Sequence, residues 1–187
     1  MVFNRRAKVT MACILCLQSK VLIAASLYPF IDPPVCFNYL REAVEHITRS
    51  SKQGQVAAGM ANRDSDRRPV IVGMNYDKAD PTSQRFVDFH ECAHHQGGHV
   101  DQPHPPRNSF DYLMNESIAD CVAILRIQEK ANHTYSKVIG GLSKAMILVG
   151  FPEISTDSRF SNLENCYAKN RSPNTFIAEV ITKYKNC

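Results

Sequence analysis

The chain has 187 residues, 44% of them hydrophobic and 21% charged, with 22 Lys and Arg against 18 Asp and Glu. That balance excludes disordered, collagen-like and coiled-coil chains, and the length suits one globular domain with a full-sized core. The net charge of +4 resides in residues 1–26, where Arg5, Arg6, Lys8 and Lys20 meet no acid, so the remainder is formally neutral and offers phosphate backbones no basic stripe, which argues against a nucleic-acid partner.

In chain order, the cationic stretch Met1 to Lys8 precedes a largely apolar run from Val9 that closes on Leu22-Ile23-Ala24-Ala25-Ser26. That is the order of a secretory signal peptide with cleavage near residue 26. Gln18-Ser19-Lys20 interrupts the run, leaving it well short of the roughly 18 residues a membrane-spanning helix needs, so no stable span is expected. We therefore expect residues 27–187 to form a single exported domain, periplasmic or extracellular and monomeric; a cytoplasmic protein with an N-terminal extension is the alternative. Removal of residues 1–26 discards Cys13 and Cys16 and leaves Cys36, Cys92, Cys121, Cys166 and Cys187. A Cys166–Cys187 bridge would clip the carboxyl end in an oxidising compartment.

Phe37, Leu40, Val44 and Ile47 recur at helical spacing and predict an amphipathic helix over residues 36–50. The β-branched run Pro69-Val70-Ile71-Val72-Gly73-Met74 is the clearest strand, and Gln55 to Ala61 would pair with it. From Thr82 or Ser83, each a suitable N-cap, a helix runs through Phe86, Phe89, His90, Ala93 and His94 to a Gly97-Gly98 stop. Proline-rich residues 101–109 form a loop, and helical spacing resumes from Phe110 to Lys130. Further helices are expected at 135–149, 159–170 and 174–185. The fold class is α+β, mostly helical with a small sheet.

The sequence His90-Glu91-Cys92-Ala93-His94 lies on the second of these helices. Residues four apart share a helical face, so His90 and His94 can present imidazole nitrogens to one metal ion, while Glu91 sits beside the ion rather than on it. A third ligand follows in Asn115-Glu116-Ser117-Ile118-Ala119-Asp120, on the next helix. Glu116 would complete the set, and Asp120, one turn on, would accept the outer N–H of a liganding His. Two amphipathic helices with solvated charges are the plain alternative, but Phe89, Ala93, Ile118 and Ala119 crowd these charges with apolar neighbours. Cys92 and Cys121 point off the ligand face and read as buried thiols ahead of a bridge between them.

These two motifs resemble those of the gluzincin zinc metallopeptidases, the thermolysin-like group, and at this length the chain is similar to their small single-domain members, the minigluzincins. The resemblance covers about 12 positions in two helices and implies a zincin-like fold. It implies one Zn2+ held by His90, His94 and Glu116, Glu91 as general base, and Asp120 steadying a liganding His. It also implies an edge strand bordering the active-site helix, a place Val70 to Met74 would fill, on which a peptide or protein substrate adds as a further strand. Family members stabilise the oxyanion with a Tyr or His downstream of the third ligand; by position the candidates are His133, Tyr135 and Arg159. The rival metzincin pattern needs a third His at position 100, which is Val100, so His95 and His99 are read as loop, outer-sphere or surface residues. The expected reaction is zinc-assisted peptide hydrolysis with Glu91 taking a proton from water. The competing expectation is a catalytically weak metal-binding or regulatory protein that keeps the same site.

Overall fold

The computed structural model describes residues 28–49, 58–130, 135–149 and 153–185. Residues 1–27, with the signal-peptide reading and Cys13 and Cys16, lie outside the described residues, as do His133 and Cys187. Within them the fold is α+β: strands β1 (Glu45–Arg49), β2 (Ala58–Arg63) and β3 (Pro69–Met74), then helices α1 (Pro81–Gly97), α2 (Phe110–Lys130), α3 (Tyr135–Val149), α4 (Glu153–Ala168) and α5 (Pro173–Lys185). No described helix is long and apolar enough to cross a membrane.

The sheet order is β1-β3-β2, with β1 parallel and β2 antiparallel to β3. The strand expected at 70–74 is therefore the centre of the sheet and not its edge. Its unbroken Val70-Ile71-Val72 run, buried throughout, is what a strand paired on both sides and covered by a helix requires. The edge facing α1 is β2, where Gly59, Met60 and Ala61 oppose Gly73, Val72 and Ile71. The β2–β3 connection is tied by Asp64, whose Oδ1 accepts from the amides of Asp66 and Arg68 at 2.9 and 2.8 Å.

The helix expected over 36–50 is absent. Asn38 Oδ1 instead accepts from the amides of Leu40 and Glu42 at 3.0 and 2.8 Å. Asn38 N and Val44 N bond back to Glu42 O and Cys36 O, which folds residues 36–44 into a tight reversal. Arg41 takes the left-handed conformation, φ 68°, inside it. A buried Asn whose side chain replaces backbone partners outcompetes helical periodicity, and the β-branched Ile47 and Thr48 enter β1.

Helix α1 starts at Pro81 because Asp80 caps it: Oδ1 accepts from Thr82 N and Ser83 N at 2.9 and 3.2 Å, so the two expected caps are the residues being capped. It ends at Gly98, φ 74°, whose left-handed conformation favours glycine. Helix α4 begins at Glu153, six residues before the expected 159, with the Ser-Thr-Asp-Ser run inside the helix.

Both expectations for cysteine are corrected. Cys36 is bonded to Cys92 and Cys121 to Cys166, so Cys92 and Cys121 are neither free thiols nor joined to each other, and Cys166 is not joined to Cys187. The first bridge staples the reversal at 36–44 to α1 on the face away from the ligands; the second ties α2 to α4. Two disulfides are the chemistry of an oxidising compartment. The main core gathers Phe86 and Phe89 of α1, Ile124 and Ile127 of α2, Val138 and Leu142 of α3, and Leu163 of α4. Between α1 and α2 the contact is made by Ala93, Ala119 and Val122, all almost wholly buried. Small side chains at that crossing let the two motif helices approach closely.

Candidate metal centre

Three side chains from α1 and α2 meet at the crossing. His90 Nε2 and His94 Nε2 are 3.1 Å apart, and the Glu116 carboxylate oxygens lie 3.4 Å from His90 Nε2 and 3.5 Å from His94 Nε2. One divalent cation with nitrogen and oxygen ligands at about 2.1 Å in tetrahedral array spaces those ligands about 3.4 Å apart. The three donors match that spacing, and this is the group of His, Cys, Asp and Glu side chains that converges in this way among the described residues. His90, His94 and Glu116 could thus hold one metal ion, as their spacing in the sequence implies.

Each imidazole has an outer partner of its own. His90 Nδ1 stands 2.9 Å from Asp120 Oδ1, though bent away from a straight hydrogen bond. Asp120, fully buried, is gripped by Arg159 of α4, with Nε donating to Oδ2 at 2.7 Å and Nη2 to Oδ1 at 2.6 Å. His94 Nδ1 lies 3.0 Å from His99 Nδ1. His99 sits in the short 3-10 turn His99–Asp101 that follows the Gly98 cap. When Nε2 of His94 faces a metal its proton resides on Nδ1, so His99 Nδ1 is the acceptor.

Charge in the cluster is arranged accordingly. Burial alone would lower His90, but Asp120 and Glu116 override it and raise it to about 10. Burial, reinforced by His90, lowers His94 to about 3. Burial opposes ionisation of Glu116, yet His90, His94 and Arg159 bring it down to about 2. The cluster therefore presents an anionic oxygen and one proton-free imidazole nitrogen, with a single proton on His90 for a cation to displace.

Glu91 is turned toward the sheet. Its Oε2 accepts from Ala61 N at 2.7 Å, so the Ala61 amide points to the outer edge of β2 and away from β3. Gly59, two residues back, exposes its backbone on the same edge. The absence of a side chain at Gly59 matters, because a Cβ there would stand 2.6 Å from Glu91 Cγ and 2.5 Å from Val87 Cγ1. Burial, above all, raises the Glu91 carboxyl above the usual carboxylate range, with Glu116 adding to it and His90 opposing.

A cleft of about 420 Å3 opens on this cluster. Gly59, Met60 and Ala61 of β2 line it together with the ligand cluster and with His99, His104, Arg107, Tyr112 and Asn115. Of the residues expected to supply an oxyanion donor, Tyr135 stands at the start of α3 with its ring 5.0 Å from Tyr167, apart from the cleft, and Arg159 is drawn onto Asp120. Tyr112, which spacing did not single out, lines the cleft one helical turn before Glu116. Burial and the Glu116 carboxylate raise its phenol above the ordinary value, so it stays a donor at neutral pH. The i, i+4 relation of Tyr112 to Glu116 is the signal that would have found it. His95 is neither loop nor surface: it is buried, with Nε2 2.9 Å from Val70 O.

Comparison with family models, curated proteins and solved structures gives no match.

Proposed function

We propose that the chain is a zinc-dependent peptidase with a zincin-like arrangement of its site, acting outside the cytoplasm. The observation that supports this most is the conjunction of a metal-spaced His90-His94-Glu116 triad with Glu91, a second carboxylate that is buried, is not needed as a ligand and is held against an edge strand. A closed structural site has no use for that carboxylate.

The residues divide the work as follows. His90, His94 and Glu116 would hold zinc, which when bound acidifies water and polarises a carbonyl group. Glu91, raised by burial, accepts the proton from the attacking water and hands it to the departing amine. Asp120 and Arg159 keep His90 oriented. The outer edge of β2 offers the Gly59 N–H and C=O and the Ala61 C=O to an extended peptide. The Tyr112 phenol donates to the oxygen that becomes negative as the carbonyl is attacked, since among the described residues that line the cleft Tyr112 is the one that carries a hydroxyl.

Metal analysis together with digestion of a broad peptide library tests the reading. The protein should carry about one zinc per chain and cleave; Glu91→Gln should keep the metal and lose cleavage, whereas Glu116→Ala should lose both. Tyr112→Phe should lower kcat by about 10- to 1000-fold with little change in zinc content. A zinc-loaded protein that cleaves nothing in the library would make it a metal-binding or regulatory protein instead.

A further inference from the structure

The cleft lining is of two kinds. The β2 residues present backbone groups and the Met60 side chain, whereas α2 and the segment before it present His104, Arg107, Tyr112 and Asn115, none of which is a carboxylate. The acids in the cleft, Glu91 and Glu116, both belong to the ligand cluster and its base. Arg63 and Arg159, which flank the same region, are each bound to carboxylates, Asp101 and Asp120. Arg107 has no carboxylate within ion-pairing distance among the described residues, and it is a solvent-exposed member of the cleft lining.

The segment that carries Arg107 is held in place. Ser109 N bonds back to Pro106 O at 2.9 Å, Asn108 takes the left-handed conformation at φ 67°, and Ser109 Oγ accepts from Tyr112 N at 3.2 Å. Pro103, Pro105 and Pro106 further restrict the backbone. The His104 ring packs edge-on to Tyr112, with centroids 6.2 Å apart. The cleft thus carries an exposed cation on a backbone segment that is held in place, with an imidazole beside it in the same lining as the strand edge onto which a peptide would add. A guanidinium so placed favours a planar carboxylate, which it can bind through two parallel N–H donors.

We propose that this wall is a carboxylate-recognition subsite, in which Arg107, assisted by His104, selects peptides bearing a carboxylate within a residue or two of the scissile bond. The carboxylate is either an Asp or Glu side chain or the free C-terminus of a short peptide. The selection rests on the peptidase reading for its biological meaning, but peptide binding can be measured without turnover.

The test uses zinc-loaded Glu91→Gln protein and matched fluorescent peptides by polarisation. One pair carries an internal Glu or Gln with an amidated C-terminus; the other lacks acidic side chains and ends in a free acid or an amide. At least tenfold tighter binding of the acidic member of one pair is expected, and which pair responds identifies the source of the carboxylate. Arg107→Gln should remove that preference while leaving the affinity for the neutral peptide within about twofold, and raising the salt concentration should weaken the acidic peptide selectively. Equal binding within both pairs, or a preference that survives Arg107→Gln, overturns the proposal. Cleavage by the unmodified protein without charge preference would sink the subsite and leave the peptidase standing. Selective binding of acidic peptides without cleavage would do the reverse.

Discussion

Gly59→Ala tests whether the approach of Glu91 to the strand edge is what the site depends on. A Cβ at residue 59 would stand 2.5 Å from Val87 Cγ1, 2.6 Å from Glu91 Cγ and 2.9 Å from Glu91 Oε1. Ordinary contact begins at 3.4 Å, so the Glu91 stem must retreat by about 0.8 Å or β2 must lift from α1 by as much. Either movement lengthens the 2.7 Å bond from Ala61 N to Glu91 Oε2 and shifts the base relative to the cleft. A displacement near 1 Å in a reacting group costs about 100-fold in rate, about 2.7 kcal/mol in activation free energy. The overpacking itself costs about 1–3 kcal/mol of stability. The atoms a Cβ at residue 59 would meet first belong to Val87 and Glu91 and not to His90, His94 or Glu116, so metal affinity should be unchanged. The assay is kcat/KM on the best library peptide beside a zinc competition titration, with urea denaturation to separate the stability term. Activity within threefold of the parent protein would refute the reasoning, as would loss of metal in parallel with loss of activity.

Three further outcomes follow from the same geometry. His99→Leu removes the acceptor 3.0 Å from His94 Nδ1 and should weaken zinc binding by about 10- to 100-fold, with His99→Gln recovering part of the loss in competition against a chelator. Arg159→Met strands the buried Asp120 carboxylate and should cost about 3–5 kcal/mol in urea unfolding of the metal-free protein; a change under 1 kcal/mol would show that Asp120 is satisfied without it. His46, on β1, has its Nε2 buried without a hydrogen-bond partner among the described residues, and burial first, then His95 and Arg85, lower its pKa from 6.5. The unfolded chain takes up the proton that the native state refuses, so this stabilising term is fully present above pH 6.5 and is lost as the pH falls toward the lower native value. The slope is at most about 1.4 kcal/mol per pH unit for this one group. His46→Leu should flatten urea midpoints measured between pH 7.5 and 5, and an unaltered slope would assign the acid sensitivity elsewhere.

What can be read from the sequence divides along a physical line. His90, His94, Glu116 and Asp120 are legible because helical spacing converts sequence separation into a shared face, and α1 and α2 obey that spacing. The same rule misleads at Phe37, Leu40, Val44 and Ile47. There Asn38 supplies hydrogen bonds that a helix would have to supply, and Cys36 is pinned to Cys92 on another element. Neither competing interaction has a periodicity. The strand at 69–74 is legible from composition, but its central position is not, because edge and centre differ only in what pairs alongside. The edge position of β2 shows only in that pairing, and the missing side chain of Gly59 becomes meaningful only once Glu91 is seen against it. Disulfide partners lie 45 and 56 residues apart, and spacing alone cannot rank such pairs.

The cleft is harder to read than the cluster at its floor for the same reason. The three donors come from two helices whose crossing is set by Ala93 and Ala119, so a pattern local to each helix, plus one close contact, suffices to assemble them. The walls come from β2, from the turn after Gly98 and from the proline-bounded segment before α2. None of these has a repeat that places it relative to α1. Arg107 and His104 read in sequence as ordinary loop residues, and the bonds of Ser109 to Pro106 and Tyr112 hold the segment that brings them into the cleft lining. Binding of a cation is thus encoded by regular elements, while discrimination among peptides is left to segments free to vary without disturbing the ligands. A change at Arg107 should accordingly alter which peptides bind and leave zinc affinity intact, whereas a change at Ala93 or Ala119 large enough to part the helices should release the metal and abolish selection with it.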